Sequence, residues 1–153
     1  AWQRQLDINL STVFLMCKPV IPVMQAQGGG AIVNVATNLI EHPVVPYHDY
    51  STAKSALVGF SRNLAAELGP QGVRVNCVAP GPVKTKLAMA VHTADIVSAY
   101  HDAIPLNRYG SEEEIARVIV FLSSAEASYL TGQVIAVDGG FDATGVGLPA
   151  LRK

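Results

Sequence analysis

Tyr50 and Lys54 stand four residues apart in Tyr50-Ser51-Thr52-Ala53-Lys54-Ser55-Ala56-Leu57, a segment that reads as the opening of a helix. That spacing puts both side chains on one helical face, where the lysine ammonium can sit close to the phenol. A free tyrosine ionises near pH ~10, too high for ready proton exchange at neutral pH. A close positive charge favours the phenolate by roughly 1–3 units, which makes the tyrosine a usable general acid or base. The same pair is also the pattern of a solvated helix face, so the elements around it have to decide between the two.

The chain supplies those elements in a regular order. Residues 2 to about 26 carry Leu6, Leu10, Val13, Phe14 and Met24 at helical positions, with Pro19 and Pro22 expected to kink the helix or weaken its hydrogen bonding. Residues 31–36 read as a strand buried on both faces. A loop from Thr37 to Tyr47 follows, marked by Pro43 and Pro46. A second long helix runs over about 49–68 and stops at Gly69-Pro70. Val73 to Ala79 reads as the next buried strand, and Pro80-Gly81-Pro82 turns the chain away from it. One or two mobile helices are expected from Lys84 to about Ala103. Ser111 and Glu114 form a capping box for a helix through Ser123. Val134–Val137 is the last strand, and Asp138-Gly139-Gly140 turns after it.

Helices alternating with buried apolar strands imply βαβ units. The fold class is therefore α/β, a Rossmann-like three-layer αβα parallel sheet, of which this chain supplies the last three strands and their flanking helices. Ligands in such sheets bind outside the C-terminal ends of the strands. Thr37 lies just past one strand end and Pro80-Gly81 just past the next, so both fall on one rim.

Composition narrows the function classes. Half the residues are hydrophobic and 15% are charged, which fits a chain with a sizeable core. A net charge of −1 gives no basic patch for nucleic acid. No uninterrupted apolar run approaches the ~18 residues of a membrane span, because Lys18, Pro19 and Pro22 break the segment from Val13 to Met24. Cys17 and Cys77 fall in a helix and a strand, which reads as two reduced core residues of a cytoplasmic protein.

Five motifs carry a resemblance. Asn9 lies in Asp7-Ile8-Asn9-Leu10-Ser11, and Thr37 closes the run Ala31-Ile32-Val33-Asn34-Val35-Ala36. Then come Tyr50 with Lys54, Asn76-Cys77-Val78-Ala79-Pro80-Gly81-Pro82-Val83-Lys84-Thr85, and Leu130-Thr131-Gly132-Gln133-Val134-Ile135-Ala136-Val137-Asp138-Gly139-Gly140. In this order and spacing the chain resembles the short-chain dehydrogenase/reductase family, in the single-domain branch that includes 3-oxoacyl-carrier-protein reductases. The likeness runs from about Trp2 to Phe141. The family's opening Gly-rich turn has no counterpart here. Gly28-Gly29-Gly30 precedes a strand, and Gly145-x-Gly147-x-x-Ala150 leaves no room for a βαβ unit, so neither has the context of a phosphate-binding turn. Residues 1–153 are accordingly expected to be the C-terminal part of a single NAD(P)-binding domain.

What the resemblance implies is specific. Tyr50 would give a proton to a ketone or take one from an alcohol, while a nicotinamide cofactor, NAD or NADP, exchanges the hydride. Lys54 would lower the Tyr50 pKa and hydrogen-bond the nicotinamide ribose. Thr37, where the family usually has serine, would hydrogen-bond the substrate oxygen. Asn9 would hold a water in a proton relay to Lys54. Pro80 and Gly81 would let backbone approach the flat nicotinamide ring closely, with backbone near Val83 and the Thr85 hydroxyl holding its carboxamide. The two long helices would make a homo-oligomer, a dimer or tetramer. The competing reading is a catalytically incomplete fragment or paralogue that acts mainly through subunit association.

Other residues read as structural. His42, His48, His92 and His101 lack metal-ligand spacing and fit loops and surfaces, with His48 near enough to Tyr50 to touch substrate. Glu112, Glu113 and Glu114 fit a helix N-terminus. Phe141 and the tail to Lys153 are expected to reach a neighbouring subunit. Met89, Ile96, Val97, Tyr100 and Ile104 could form an apolar lid, which suits a carbonyl substrate with a hydrophobic body.

Overall fold

The computed structural model describes residues 1–42 and 44–144, with Pro149. Strands β1 (Gly30–Val35), β2 (Val73–Pro80) and β3 (Val134–Val137) form one parallel sheet in the order β1-β2-β3. Gly30 stands opposite Val73 and Val35 opposite Val78, while Cys77 to Pro80 face Val134 to Val137. The helices are α1 (Trp2–Leu6), α2 (Thr12–Ala26), α3 (His48–Leu68), α4 (Lys86–Val91), α5 (Ala94–Ala103) and α6 (Glu112–Ser123).

The alternation of β2 creates the three layers. Val73 and Val75 pack with Cys17, Leu64, Ala65 and Leu68, and Cys77 and Ala79 pack with Ala36 and Val58, so this face is covered by α2 and α3. Val78 points the other way, into Ile115, Leu122 and Ala127, under α6, which lies across all three strands. Two polar side chains share that second face. Asn76, wholly buried, donates to the Leu130 carbonyl at 2.8 Å and accepts the Gln133 N–H at 3.1 Å. The Arg74 guanidinium donates to the carbonyls of Leu122 and Ser124, at 2.8 and 2.9 Å, at the C-terminal end of α6, where a cation meets otherwise orphaned carbonyls. Together they fix where the chain re-enters the sheet as β3.

Several expectations need correction. Burial on both faces holds for β2 but not for β1, which is half-buried, with Val35 exposed at its end. The reason is its place at the sheet edge, where it pairs with β2 alone among the described residues. The first helix keeps its expected span, with Pro19 and Pro22 inside it. Helical structure runs from Trp2 to Ala26, with a π turn at Asp7–Ser11, and the Thr12 hydroxyl donates to the Asp7 carbonyl at 2.8 Å across it. Despite Lys18, this helix is long and apolar enough to cross a membrane by length and composition, with a mean hydropathy of 1.4. One of its faces, Val13, Cys17, Ile21 and Met24, packs on the core shared by α3 and β2.

The capping box forms as expected: Ser111 accepts the Glu114 N–H, and Glu114 accepts the Ser111 N–H at 2.8 Å. Glu114 also grips Arg108 through both guanidinium nitrogens, at 2.9 and 2.7 Å, a partner the sequence did not suggest. Cys17 and Cys77 are buried and free. The Gly145–Ala150 stretch and the tail to Lys153 lie, Pro149 apart, outside the described residues, as does Pro43.

Candidate active site

Tyr50 lies in the first turn of α3 and Lys54 one turn later, while Thr37 sits just past the end of β1. Thr37 is buried, and its hydroxyl accepts the Leu39 N–H at 3.3 Å, capping the short turn Asn38–Ile40. The same hydroxyl hydrogen-bonds Tyr50. The Lys54 ammonium lies 5.7 Å from the centre of the Tyr50 ring and donates to the Val35 carbonyl at 2.7 Å, at the last residue of β1. The strand end thus fixes both partners of the tyrosine, one through a side chain and one through a carbonyl.

The electrostatics differ from the expectation that Lys54 lowers the Tyr50 pKa. Burial pushes the Tyr50 phenol up, and the Thr37 hydrogen bond only partly opposes it. Burial likewise pushes the Lys54 ammonium down, against the pull of Cys77. The ammonium is turned to the Val35 carbonyl, and a buried phenol pays more for charge than the Thr37 bond returns. In this arrangement Tyr50 holds its proton at neutral pH, the form that can donate to a carbonyl oxygen.

Asn9 makes its side-chain hydrogen bonds within its own helix. Its amide nitrogen donates to the Gln5 carbonyl at 3.2 Å and to Gln5 Oε1 at 2.7 Å. It stands in the π turn Asp7–Ser11, which packs against α3; such turns often occur at functional sites. Two other polar atoms beside the corner make no hydrogen bond among the described residues: the Asn38 Nδ2, next to Thr37, and the Ser51 Oγ, next to Tyr50. Buried polar groups of this kind normally have partners, and nothing in the sequence marked them.

The turn after β2 is built by close approach. Gly81 donates its N–H to the Val137 carbonyl at 3.1 Å, and a Cβ there would meet the Asp138 Cβ at 2.6 Å. Glycine is needed at this point for the neighbouring strand end, not only for a ligand ring. Val83 pairs with Gly110 in a parallel bridge, closed by the Gly110 N–H to the Pro82 carbonyl at 3.0 Å and the Lys84 N–H to the Gly110 carbonyl at 2.9 Å. The Val83 N–H faces away from that bridge. The Thr85 hydroxyl accepts the Ala88 N–H at 3.0 Å as the cap of α4 and keeps its own proton to donate.

A cavity of about 480 Å³ is walled by Val44, Val45 and Tyr47 from the loop before α3, by His92, Ile96 and Tyr100 from the α4–α5 segment, and by Phe141. Of the residues expected to form an apolar lid, Ile96 and Tyr100 line it. Ile104 is instead buried, in contact range of Gly139. His92, expected at the surface, forms part of the wall, and so does Phe141. Phe141 also packs on His42, with ring centres 5.1 Å apart. Their roles arise from contacts far apart in the chain, so no local pattern could have revealed them. Among the described residues, no cluster of side chains is arranged to hold a metal ion.

A family model described as enoyl-(acyl carrier protein) reductase matches residues 1–142. The chain belongs to the short-chain dehydrogenase/reductase family. Within that family it is 43% identical over 139 residues to the 3-oxoacyl-[acyl-carrier-protein] reductase FabG of Aquifex aeolicus, covering 91% of this chain and 56% of the relative. A solved structure from Agrobacterium tumefaciens with bound NADP superposes with a TM-score of 0.89 at 34% identity, over 94% of this chain and 59% of that one. A 7α-hydroxysteroid dehydrogenase complexed with NADH and 7-oxo glycochenodeoxycholic acid superposes at 0.88 and 32% identity, over 91% and 55%. The chain thus spans little more than half the length of these family members.

Proposed function

We propose that the protein carrying this chain is a nicotinamide-dependent oxidoreductase that interconverts a ketone and a secondary alcohol. The observation that carries the reading is the buried Thr37 hydroxyl bonded to the Tyr50 phenol beneath the Lys54 ammonium. Tyr50 donates its proton to the oxygen of the ketone, or takes it back from the alcohol. Thr37 orients that oxygen. Lys54 exchanges the Val35 carbonyl for the nicotinamide ribose.

The residues of the second turn fit the cofactor. The Val83 N–H and the Thr85 hydroxyl are two donors with protons to spare, as a carboxamide oxygen requires. NAD or NADP, when bound, supplies the hydride. The apolar cavity supports a ketone with a hydrophobic body, and the likeness to a 3-oxoacyl reductase favours that substrate class. The part of α2 exposing Phe14, Leu15, Met16 and Val23, beside α3, supports a homo-oligomer, and the free cysteines agree with a cytoplasmic setting. Light scattering that gave a monomer would remove the oligomer.

The test of the chemistry is Tyr50→Phe in the intact protein. Turnover of an apolar ketone should fall by about 10²–10⁴-fold, the usual contribution of a general acid, with cofactor affinity little changed. Retained turnover would take Tyr50 out of its role.

A further inference from the structure

The cavity walled by Val44, Tyr47, His92, Tyr100 and Phe141 carries a polar fixture that the reaction does not use. His92 Nδ1 lies 2.9 Å from the Tyr109 hydroxyl, joining two residues 17 positions apart. Tyr100 stacks on the imidazole, with ring centres 5.7 Å apart and planes at 22°, and Tyr109 meets it edge-on at 5.9 Å. The ring is therefore held on its face and at its edge, and Nε2 is the ring nitrogen without a hydrogen bond among the described residues. Tyr109 is itself buried, and burial, with Tyr100 nearby, pushes its phenol up to about 12, so it meets Nδ1 as a neutral O–H. A phenol donating to Nδ1 leaves the imidazole proton on Nε2.

We propose that His92 is a specificity-determining residue whose Nε2–H binds an oxygen of the substrate remote from the reacting carbonyl. The inference rests on the reading of this cavity as the ketone site. It names the substrate more closely: an apolar ketone that carries a second oxygen, a hydroxyl or carbonyl, on its far side. Three features carry it. The ring is part of a wall shared with the apolar Val44, Val45, Ile96 and Phe141 and with the phenol-bearing Tyr47 and Tyr100. Its orientation is fixed before any ligand arrives, so little freedom is lost on binding. A donor in such surroundings discriminates by being left unpaired when the wrong ligand binds. Tyr109 is then a positioning residue, acting through the His92 ring without touching the ligand.

The experiment is a titration of the 15N-labelled 153-residue chain with two probes, a decalone and a hydroxydecalone bearing its hydroxyl on the other ring, followed on the histidine ring resonances. The hydroxydecalone should bind about fivefold more tightly, the effect of one neutral hydrogen bond, and should move the His92 Nε2 signal. His92→Phe should erase the preference while still binding decalone, and His92→Gln should restore part of it. Tyr109→Phe, which keeps the ring but frees the imidazole, should reduce the preference to about twofold, an intermediate loss of the same bond. Equal binding of the two probes by the unaltered chain, a preference that survives His92→Phe, or no binding of either probe would each overturn the proposal. None of these readouts involves turnover. Loss of the preference leaves the Tyr50 chemistry standing, and an active Tyr50→Phe enzyme leaves the His92 contact standing.

Discussion

The reaction corner and the cavity wall are neighbours assembled in opposite ways. Thr37, Tyr50 and Lys54 come from one βα unit, a strand end and the helix after it, and two of the three are a single helical turn apart. His92, Tyr100, Tyr109 and Phe141 come from α4–α5, the approach to α6 and the turn after β3, and they meet through ring packing and the His92–Tyr109 hydrogen bond. The corner is anchored to the backbone of a strand through the Val35 carbonyl. The wall is anchored side chain to side chain. On the proposed reading, a site built this way keeps its chemistry constant while the wall selects the ketone.

The largest break in that comparison should come from Lys54→Ala. In the intact protein it should lower turnover by about 100-fold or more and weaken cofactor binding, because on the proposed reading the ribose contact disappears. Decalone binding to the cavity should stay within twofold of the unaltered value by roughly the additivity expected for separate sites. Isothermal calorimetry with cofactor and probe in turn separates the two, and an unchanged cofactor affinity would contradict the ribose contact.

A smaller effect should follow from Gly81→Ala, which strikes the rim common to both regions. The added Cβ would lie 2.6 Å from the Asp138 Cβ and 2.7 Å from its Cα, so strand ends β2 and β3 must part. Overpacking of this kind costs about 1–3 kcal/mol, readable as a lower urea midpoint. An unchanged midpoint would show that the strand ends yield freely and that the glycine is kept for a ligand.

The smallest is a titration. Tyr109 ionises near 12 in the folded chain against an ordinary value of 10. Between these values the unfolded chain gives up a proton that the folded chain keeps. The contribution to stability is therefore complete below pH 10 and is lost as pH rises toward 12. Ultraviolet difference spectra should show one tyrosine ionising last, and Tyr109→Phe should remove that step. If the last step persists in the variant, Tyr109 is not the buried phenol of the wall.

Much of the frame was legible in advance for physical reasons. The box at Ser111 and Glu114 and the helix ending at Leu68 rest on capping and hydrogen bonding within a few residues, and the strand at Val134–Val137 shows in its own apolar run. The edge position of β1 was not legible, because burial of a strand depends on its neighbours rather than on its own letters. Asn9 illustrates the same limit. Its position in a π turn against α3 follows from packing, as does the bond of its amide to Gln5.

The sequence alone determined the βαβ order, the rim on which Thr37 and Pro80-Gly81 both fall, and the helical face shared by Tyr50 and Lys54, since periodicity and spacing are local quantities. The tertiary structure decided the rest. It turned the lysine to a strand carbonyl, so that burial rather than charge governs the tyrosine. It also placed Gly81 against Asp138 and gathered His92, Tyr100, Tyr109 and Phe141 into one wall. Those outcomes depend on which atoms meet across the fold, and no spacing along the chain encodes that.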